Sequence, residues 1–373
     1  MATDPRTTAK SENKPYRVMV VDDSAVARGI VTRTLDQEPD IKVVASAPNG
    51  LQALKAMRRH QVDVVVLDIE MPELDGMAAL PQLLAVDPDL KIVMASAASH
   101  RDADIAMKAM AIGAVDFVQK PSAGLGGAES FTAELVAKVR HHAACKAAET
   151  HGAGKKIPAP PVKSVFAPRA WRRERGQTVP PDIIVIGSST GGPQALAEVL
   201  KNLDPSVRQP ILVTQHMPAS FTALLAEHMT RYSGRPASEA RDGDIPEPGH
   251  IYIAPGGKHL VVEPRAAGGL IIRLDDGPPE NSCKPAVDPM LRSLSRICKE
   301  RLLAVILTGM GCDGLKGCED VVGEGGRVLA QDRETSVVWG MPGAVAQAGL
   351  CSEILPLQKI GPAIVRIASG EGK

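Results

Sequence analysis

Short apolar runs alternate strictly with longer amphipathic segments along this chain, and that alternation restricts the fold more than any other feature. Within residues 16–145 the runs YRVMVV, IKVVASA, VDVVVL, KIVMAS and AVDFVQ read as five strands. The segments between them, such as SAVARGIVTRTLDQ and GLQALKAMRRH, carry helical spacing. Strands apolar on both faces need cover on both faces, and intervening helices supply it when the sheet is parallel. An α/β domain with a five-stranded parallel sheet is therefore expected over residues 15–140. The alternation resumes at Asp182, with DIIVIG, PILVTQ, HIYIAP, LIIRL, LLAVILTG and RVLAQ as strands. PQALAEVLKNL, SFTALLAEHMTRY, DPMLRSLSRICKE and GLKGCEDVVGEG read as its helices. A second α/β domain with a mainly parallel sheet is expected over 182–370, with a β-rich insertion near 238–274.

Residues 141–181 read as a linker. From Cys145 to Pro181 there are six prolines and eight Lys or Arg against two acidic residues, so regular pairing is prevented and a semi-stiff basic spacer is expected. The cluster RAWRRER within it suits an acidic surface or, more simply, a solvated spacer.

Charge and composition exclude several classes. Lys plus Arg equals Asp plus Glu at 43 each, without the basic excess of a nucleic-acid-binding surface, and aromatic content of 2% leaves few stacking platforms. No apolar run approaches the roughly 20 residues of a membrane span. The opening MATDPRTTAKSENKPYR lacks the apolar core of a signal peptide, so the expectation is a cytoplasmic protein with no membrane insertion. Six cysteines without a CxxC pair read as reduced apolar side chains.

In the first domain, Asp22 and Asp23 follow the first strand and Asp68 follows the third. The carboxyl ends of parallel strands line one rim, where ligands bind. Carboxylates gathered there repel one another unless a cation neutralises them, and hard oxygen ligands suit Mg²⁺. Ser96 ends the fourth strand and Lys120, before Pro121, ends the fifth, adding a hydroxyl and an ammonium. Asp23 ahead of SAVARGI equally suits a helix cap, and Phe117 equally suits the core. Taken together the positions resemble a response-regulator receiver domain. The resemblance implies a flavodoxin-like fold in which Asp68 accepts phosphate from a histidine kinase. It also implies Mg²⁺ on Asp22, Asp23, Asp68 and the backbone carbonyl of Glu70, Ser96 and Phe117 as a switch pair, and Lys120 on the phosphate. MPELDG fits the loop after the phosphorylated residue.

In the second domain, Gly187-Ser188-Ser189-Thr190-Gly191 has the G-x-S-x-G spacing of a nucleophile elbow between strand and helix. A serine N-cap in a tight turn is the simpler alternative. No P-loop lysine or G-x-G-x-x-G accompanies the glycines. A serine nucleophile needs a base, itself oriented by a third group. His216 directly follows a strand, unlike His228, His250 and His259, and Asp313 follows another strand through a glycine-rich turn. Asp313 also suits a helix cap, and Asp288 suits one better.

The order Ser, His, Asp and the strings GSSTGGPQAL, QHMPASFT, IAPGGKHL, TGMGCDG and QDRETSVVWGMP resemble the chemotaxis protein-glutamate methylesterase family. The resemblance carries the nucleophile to Ser189, the base to His216 and the acid to Asp313, with Thr190 and Met310 supporting the site or oxyanion. It implies hydrolysis of glutamyl γ-methyl esters on methylated chemoreceptor cytoplasmic helices, with deamidation of receptor glutamines as a second activity. A chemotaxis histidine kinase is the implied phosphodonor, and no cofactor is implied for the ester chemistry. The tandem arrangement suggests a receiver that covers the esterase rim until Asp68 is phosphorylated. Against a DNA-binding output module stands the absence of a basic recognition helix; against a binding-only module stand the three triad residue types.

Overall fold

Valine, isoleucine and leucine fill the strands of both sheets, and the central strands are buried along their whole length, as parallel strands covered on two faces must be. The computed structural model describes residues 15–96, 100–120, 128–150 and 179–370. The chain forms two compact units, each with its own parallel sheet. Most of the residues read as linker, 151–178 with RAWRRER among them, lie outside the described residues, as does Pro121.

Up to Thr150 the chain runs, in order, β1 (Tyr16–Val21), α1 (Ala25–Asp36), β2 (Ile41–Ala47), α2 (Gly50–Met57), β3 (Val64–Asp68), α3 (Gly76–Val86), β4 (Lys91–Ser96), α4 (His100–Ile112), β5 (Asp116–Gln119) and α5 (Ala128–Thr150). The sheet order is β2-β1-β3-β4-β5, parallel at every pairing. This is the flavodoxin-like order, whose direction of travel reverses between β1 and β3 and opens a crevice at their carboxyl ends. Val18, Val20, Val64, Val66 and Val93 pack with Leu35 of α1 and Leu135 and Val139 of α5 in one core. Helix α5 continues to Thr150, past the expected boundary at 140. Capping of α1 falls to Ser24, whose side chain accepts from Ala27 N, and Asp23 is left exposed.

The second unit runs β6 (Ile183–Ser188), α6 (Gly192–Lys201), β7 (Ile211–Gln215), α7 (Ala219–Ser233), β8 (Ala237–Glu239), β9 (Ile251–Ile253), β10 (His259–Pro264) and β11 (Leu270–Asp275). It continues with α8 (Val287–Cys298), β12 (Leu302–Ile306), α9 (Leu315–Gly323), β13 (Arg327–Gln331), α10 (Met341–Gln347), β14 (Glu353–Leu355) and α11 (Leu357–Ala368). The seven-stranded sheet has the order β14-β13-β12-β6-β7-β9-β8 and is parallel at every pairing. Only part of the expected insertion is separate. Strands β8 and β9 extend the main sheet, while β10 and β11 form an antiparallel hairpin of their own. The chain leaves β6 toward β7 on one side and returns at β12 on the other, so the β6–β12 junction is this sheet's reversal point. Helix α8 buries Val287, Met290, Leu291 and Leu294 in a core shared with Val185, Ala304 and Ile306. Each such side chain contributes about 1.5–3 kcal/mol on burial. Among the described residues no helix is long and apolar enough to cross a membrane.

Candidate active site and acidic rim

The reversal point of the first sheet places Asp22 just beyond β1 and Asp68 at the end of β3. Ligand oxygens of Asp22, Asp23 and Asp68 lie within 4.8 Å of one another, with Asp22 and Asp68 buried and Asp23 exposed. Lys120 Nζ stands 2.8 Å from Asp22 Oδ2 and 2.7 Å from Asp68 Oδ1. Burial pushes the Asp68 carboxyl up; Lys120 opposes this, the Asp22 charge adds to it, and the net shift is upward. Burial likewise disfavours the Lys120 charge, but Asp22 and Asp68 outweigh it and hold the ammonium above the usual lysine range. Ser96 is fully buried, and its Oγ has no hydrogen-bond partner among the described residues. Three carboxylates so close together fit a divalent cation, and a buried hydroxyl left without a partner at the end of β4 is free to meet a further group. Phe117 is buried at the end of the sheet with Lys138 Nζ 5.1 Å over its ring. Glu70, two residues beyond Asp68, is exposed. In the MPELDG loop, a Cβ on Gly76 would fall 2.1 Å from the Asp68 carbonyl oxygen, so only glycine lets the loop close over the strand end.

In the second unit, register brings the candidate triad to one rim. Ser188 pairs with Gln215 across β6 and β7 and His216 N donates to Ser188 O at 3.1 Å, so Ser189 and His216 each directly follow one of two paired strand ends. Gly187 pairs with Ile306 across β6 and β12, and Asp313 follows β12. The His216 ring meets Asp313 at 2.7 Å, Nε2 to Oδ2. A carboxylate accepts, so Nε2 carries the proton and Nδ1 carries the lone pair of the neutral ring. In the serine-protease arrangement the acid holds Nδ1 and the base is Nε2; here the ring is turned the other way. Burial opposes charge on the ring, but the Asp313 carboxylate and the contact with Cys283 outweigh it and lift His216 to about 9.

The turn carrying Ser189 is held by backbone atoms. Ser189 N donates to Thr308 O at 3.0 Å, and Ser189 O accepts from Gly192 N at 2.7 Å and Gln215 Nε2 at 2.9 Å. Gly191 caps α6 with φ 75°, and a Cβ on Gly192 would lie 1.9 Å from Gln215 Oε1. Those two glycines are therefore required by conformation and by space. Thr190 is buried and Met310 half-buried. Their backbone N–H groups carry no hydrogen bond among the described residues, whereas the N–H of Gly309 is spent on Val338 O.

Several participants were not singled out by sequence reasoning. Gln215 accepts from Ser188 Oγ at 2.6 Å and donates to Ser189 O and His216 O, tying the two strand ends together. Gln331 does the same for β12 and the following loop, accepting from Thr308 N and donating to Thr335 O. Both glutamines end apolar strand runs, and that position is the signal available in the sequence. Asp313 accepts from Val287 N and Asp288 N at the start of α8, and Asp288 accepts from Gly317 N in the first turn of α9. Each aspartate thus caps the other's helix region, so capping and orienting the imidazole are compatible duties for Asp313. Burial and the neighbouring Asp313 charge push Asp288 up to about 6. The Asp313 carboxyl is held below the usual range, since His216 and the backbone donors outweigh its burial. Cys283, read from composition as a plain apolar side chain, places Sγ 3.3 Å from His216 Nδ1.

An acid-lined receiver rim and an imidazole–carboxylate pair beside a serine turn define a receiver-coupled hydrolase. Residues 18–125 match the response regulator receiver domain and residues 184–364 the CheB methylesterase domain. A protein-glutamate methylesterase/protein-glutamine glutaminase of Azospirillum brasilense is 52% identical over 97% of this chain and 95% of its own length. A similarly described protein of Paramagnetospirillum magneticum is 50% identical over 95% of this chain and 96% of its own. This chain belongs to the CheB methylesterase family.

Proposed function

We propose that the chain is a phosphorylation-controlled protein-glutamate methylesterase that hydrolyses glutamyl γ-methyl esters on chemoreceptor cytoplasmic helices, with glutamine deamidation at the same site. The observation that carries this is the 2.7 Å His216–Asp313 pair at the strand end adjoining Ser189. Ser189 Oγ attacks the ester carbonyl while His216 Nδ1 takes its proton. The imidazolium returns that proton to the departing methanol. Water then gives a proton to the same nitrogen, attacks the acyl-enzyme and releases a glutamate carboxylate and free Ser189. Asp313 holds the tautomer and steadies the charged ring. The N–H groups of Thr190 and Met310 are suited to the oxyanion, and each such donor is worth about 3–4 kcal/mol in known sites.

A base held at about 9 is protonated at neutral pH and becomes competent only as the pH rises. The acidic limb of kcat/KM for methanol release is therefore expected above the ordinary histidine value, with activity climbing between about pH 6.5 and pH 9. A profile already flat from pH 7 upward would show that the contacts of Asp313 and Cys283 do not hold the ring up in the working enzyme.

For control, Asp68 is the phosphate acceptor, with a chemotaxis histidine kinase as donor. Asp22, Asp23, Asp68 and the Glu70 carbonyl would hold Mg²⁺, which neutralises the acids and binds phosphoryl oxygens when present. Lys120 and Ser96 meet the phosphoryl group, and Phe117 responds with Ser96. Moving a two-state equilibrium from 1:99 to 99:1 requires about 5.5 kcal/mol, so a partial shift with some basal activity is expected. An acyl-phosphate donor with Mg²⁺ is expected to stimulate methanol release by the full chain roughly tenfold, or ~1.4 kcal/mol. Asp68→Asn should keep the basal rate and lose the stimulation; stimulation surviving in that variant would refute the assignment.

A further inference from the structure

One short turn touches both members of the His216–Asp313 pair. Glu280 N donates to Cys283 O at 3.1 Å and Cys283 N to Glu280 O at 2.8 Å, closing a two-residue reversal. Its central residues, Asn281 at φ 50° and Ser282 at φ 64°, both occupy the left-handed region without being glycine. Asparagine tolerates that region, but a turn serving only to reverse the chain favours glycine at its second position. Backbone held there persists where surrounding contacts enforce it. The contacts are present. Arg292 grips Glu280 at 2.6 and 3.3 Å, and Lys284 meets Asp276 at 2.6 Å. So anchored, the turn sets Asn281 Nδ2 2.9 Å from both Asp288 Oδ2 and Asp313 Oδ1, and Cys283 Sγ 3.3 Å from His216 Nδ1.

We propose that Cys283 is a positioning residue for His216 and that the Glu280–Cys283 turn is the device that presents it. This rests on His216 being the base. With Asp313 on Nε2, the ring is fixed at one edge only unless something meets Nδ1. A thiol serves in both protonation states: S–H donates to the lone pair of the neutral ring, and sulfur accepts Nδ1–H from the charged ring. Because a thiol is a weak donor, it yields the lone pair to the hydroxyl of Ser189 when the substrate is engaged. Asn281 fixes the opposite end of the pair by bridging the two aspartates. The charged and titratable groups around the ring and its carboxylate are Asp313, Cys283, Asp288 behind Asn281, and Cys312, whose thiol is pushed up by burial and by the two aspartates. Burial pulls the imidazole down, and the Cys283 contact stands next after the Asp313 hydrogen bond among those that hold it up.

The test uses the full-length chain. Cys283→Ala should lower the limiting kcat for methanol release, read on the alkaline plateau, roughly tenfold, leave KM within about twofold and move the acidic limb of kcat/KM to lower pH, while Cys283→Ser should recover most of that kcat. Independently of turnover, the His216 ring is titrated by NMR in Ser189→Ala and in Ser189→Ala with Cys283→Ala. A lower midpoint in the double variant is expected. Equal midpoints, or a lowered midpoint accompanied by unchanged kcat in Cys283→Ala, would overturn the proposal. Loss of turnover in the unaltered chain would count against the esterase reading instead, and the midpoint comparison would still decide whether Cys283 governs the ring.

Discussion

Ser189→Ala lowers methanol release from methylated receptor by on the order of 10⁴-fold or more, with little change in thermal stability. The contrast follows from which atoms hold the turn. Ser189 is tied to Thr308, Gly192 and Gln215 through its backbone N–H and carbonyl, and alanine keeps all three contacts. Only Oγ is lost, and in the proposed mechanism Oγ forms the acyl bond. The rate that remains is what the oxyanion donors and binding provide without a nucleophile. The neighbouring serine gives the opposite pattern. Ser188 is fully buried and donates to Gln215 Oε1 at 2.6 Å, so Ser188→Ala leaves a buried acceptor short of a partner and acts through stability. Purified Ser189→Ala within tenfold of the parent rate would end its assignment as nucleophile.

Asp313→Asn combines a comparable loss of rate with a loss of stability. Oδ2 accepts from His216 Nε2 at 2.7 Å and from Val287 N at 2.6 Å. Oδ1 accepts from Asn281 Nδ2, Asp288 N and Gly314 N. Every approach to this buried carboxylate is made by a donor, so an amide must point its NH₂ at a donor whichever way it is turned. With NH₂ toward His216, the ring must accept at Nε2 and carry its proton on Nδ1, which removes the base. With NH₂ toward Asn281, the N–H groups of Asp288 and Gly314 and the Asn281 amide are left facing a donor. The expected rate loss is about 10⁴-fold, as for removal of the orienting charge in other triads. The expected destabilisation is about 1–3 kcal/mol, the usual cost of an unsatisfied buried polar group. Rate measurements and denaturant unfolding on the same preparation separate the two effects. A stable variant with less than a tenfold rate loss would show that Asp313 is only a helix cap.

The legibility of the elements followed their length. YRVMVV, IKVVASA, KIVMAS and RVLAQ coincide with β1, β2, β4 and β13, because an apolar run covered on both faces has few other ways to be buried. The three-residue strands β8 and β14 were not legible, since so short a segment shows no period and is ordered by its neighbours. The same shortness hid that β9 extends the main sheet while β10 and β11 stand apart. Candidate site residues were legible where they end a strand, as Asp68 does, or immediately follow one, as Asp22, Ser189 and His216 do. Cys283 was not, because it lies 67 positions from His216 in an irregular segment between β11 and α8.

By itself the sequence determined two parallel sheets and the residues that occupy their carboxyl rims, because burial of strand faces is a local pattern that composition writes directly into the chain. Tertiary structure alone decided that His216 offers Asp313 its Nε2 edge, that Asp313 and Asp288 cap each other's helix region, and that a strained turn brings Asn281 and Cys283 to them. Those contacts join segments distant along the chain, and no local periodicity encodes which face of a ring a remote loop will meet.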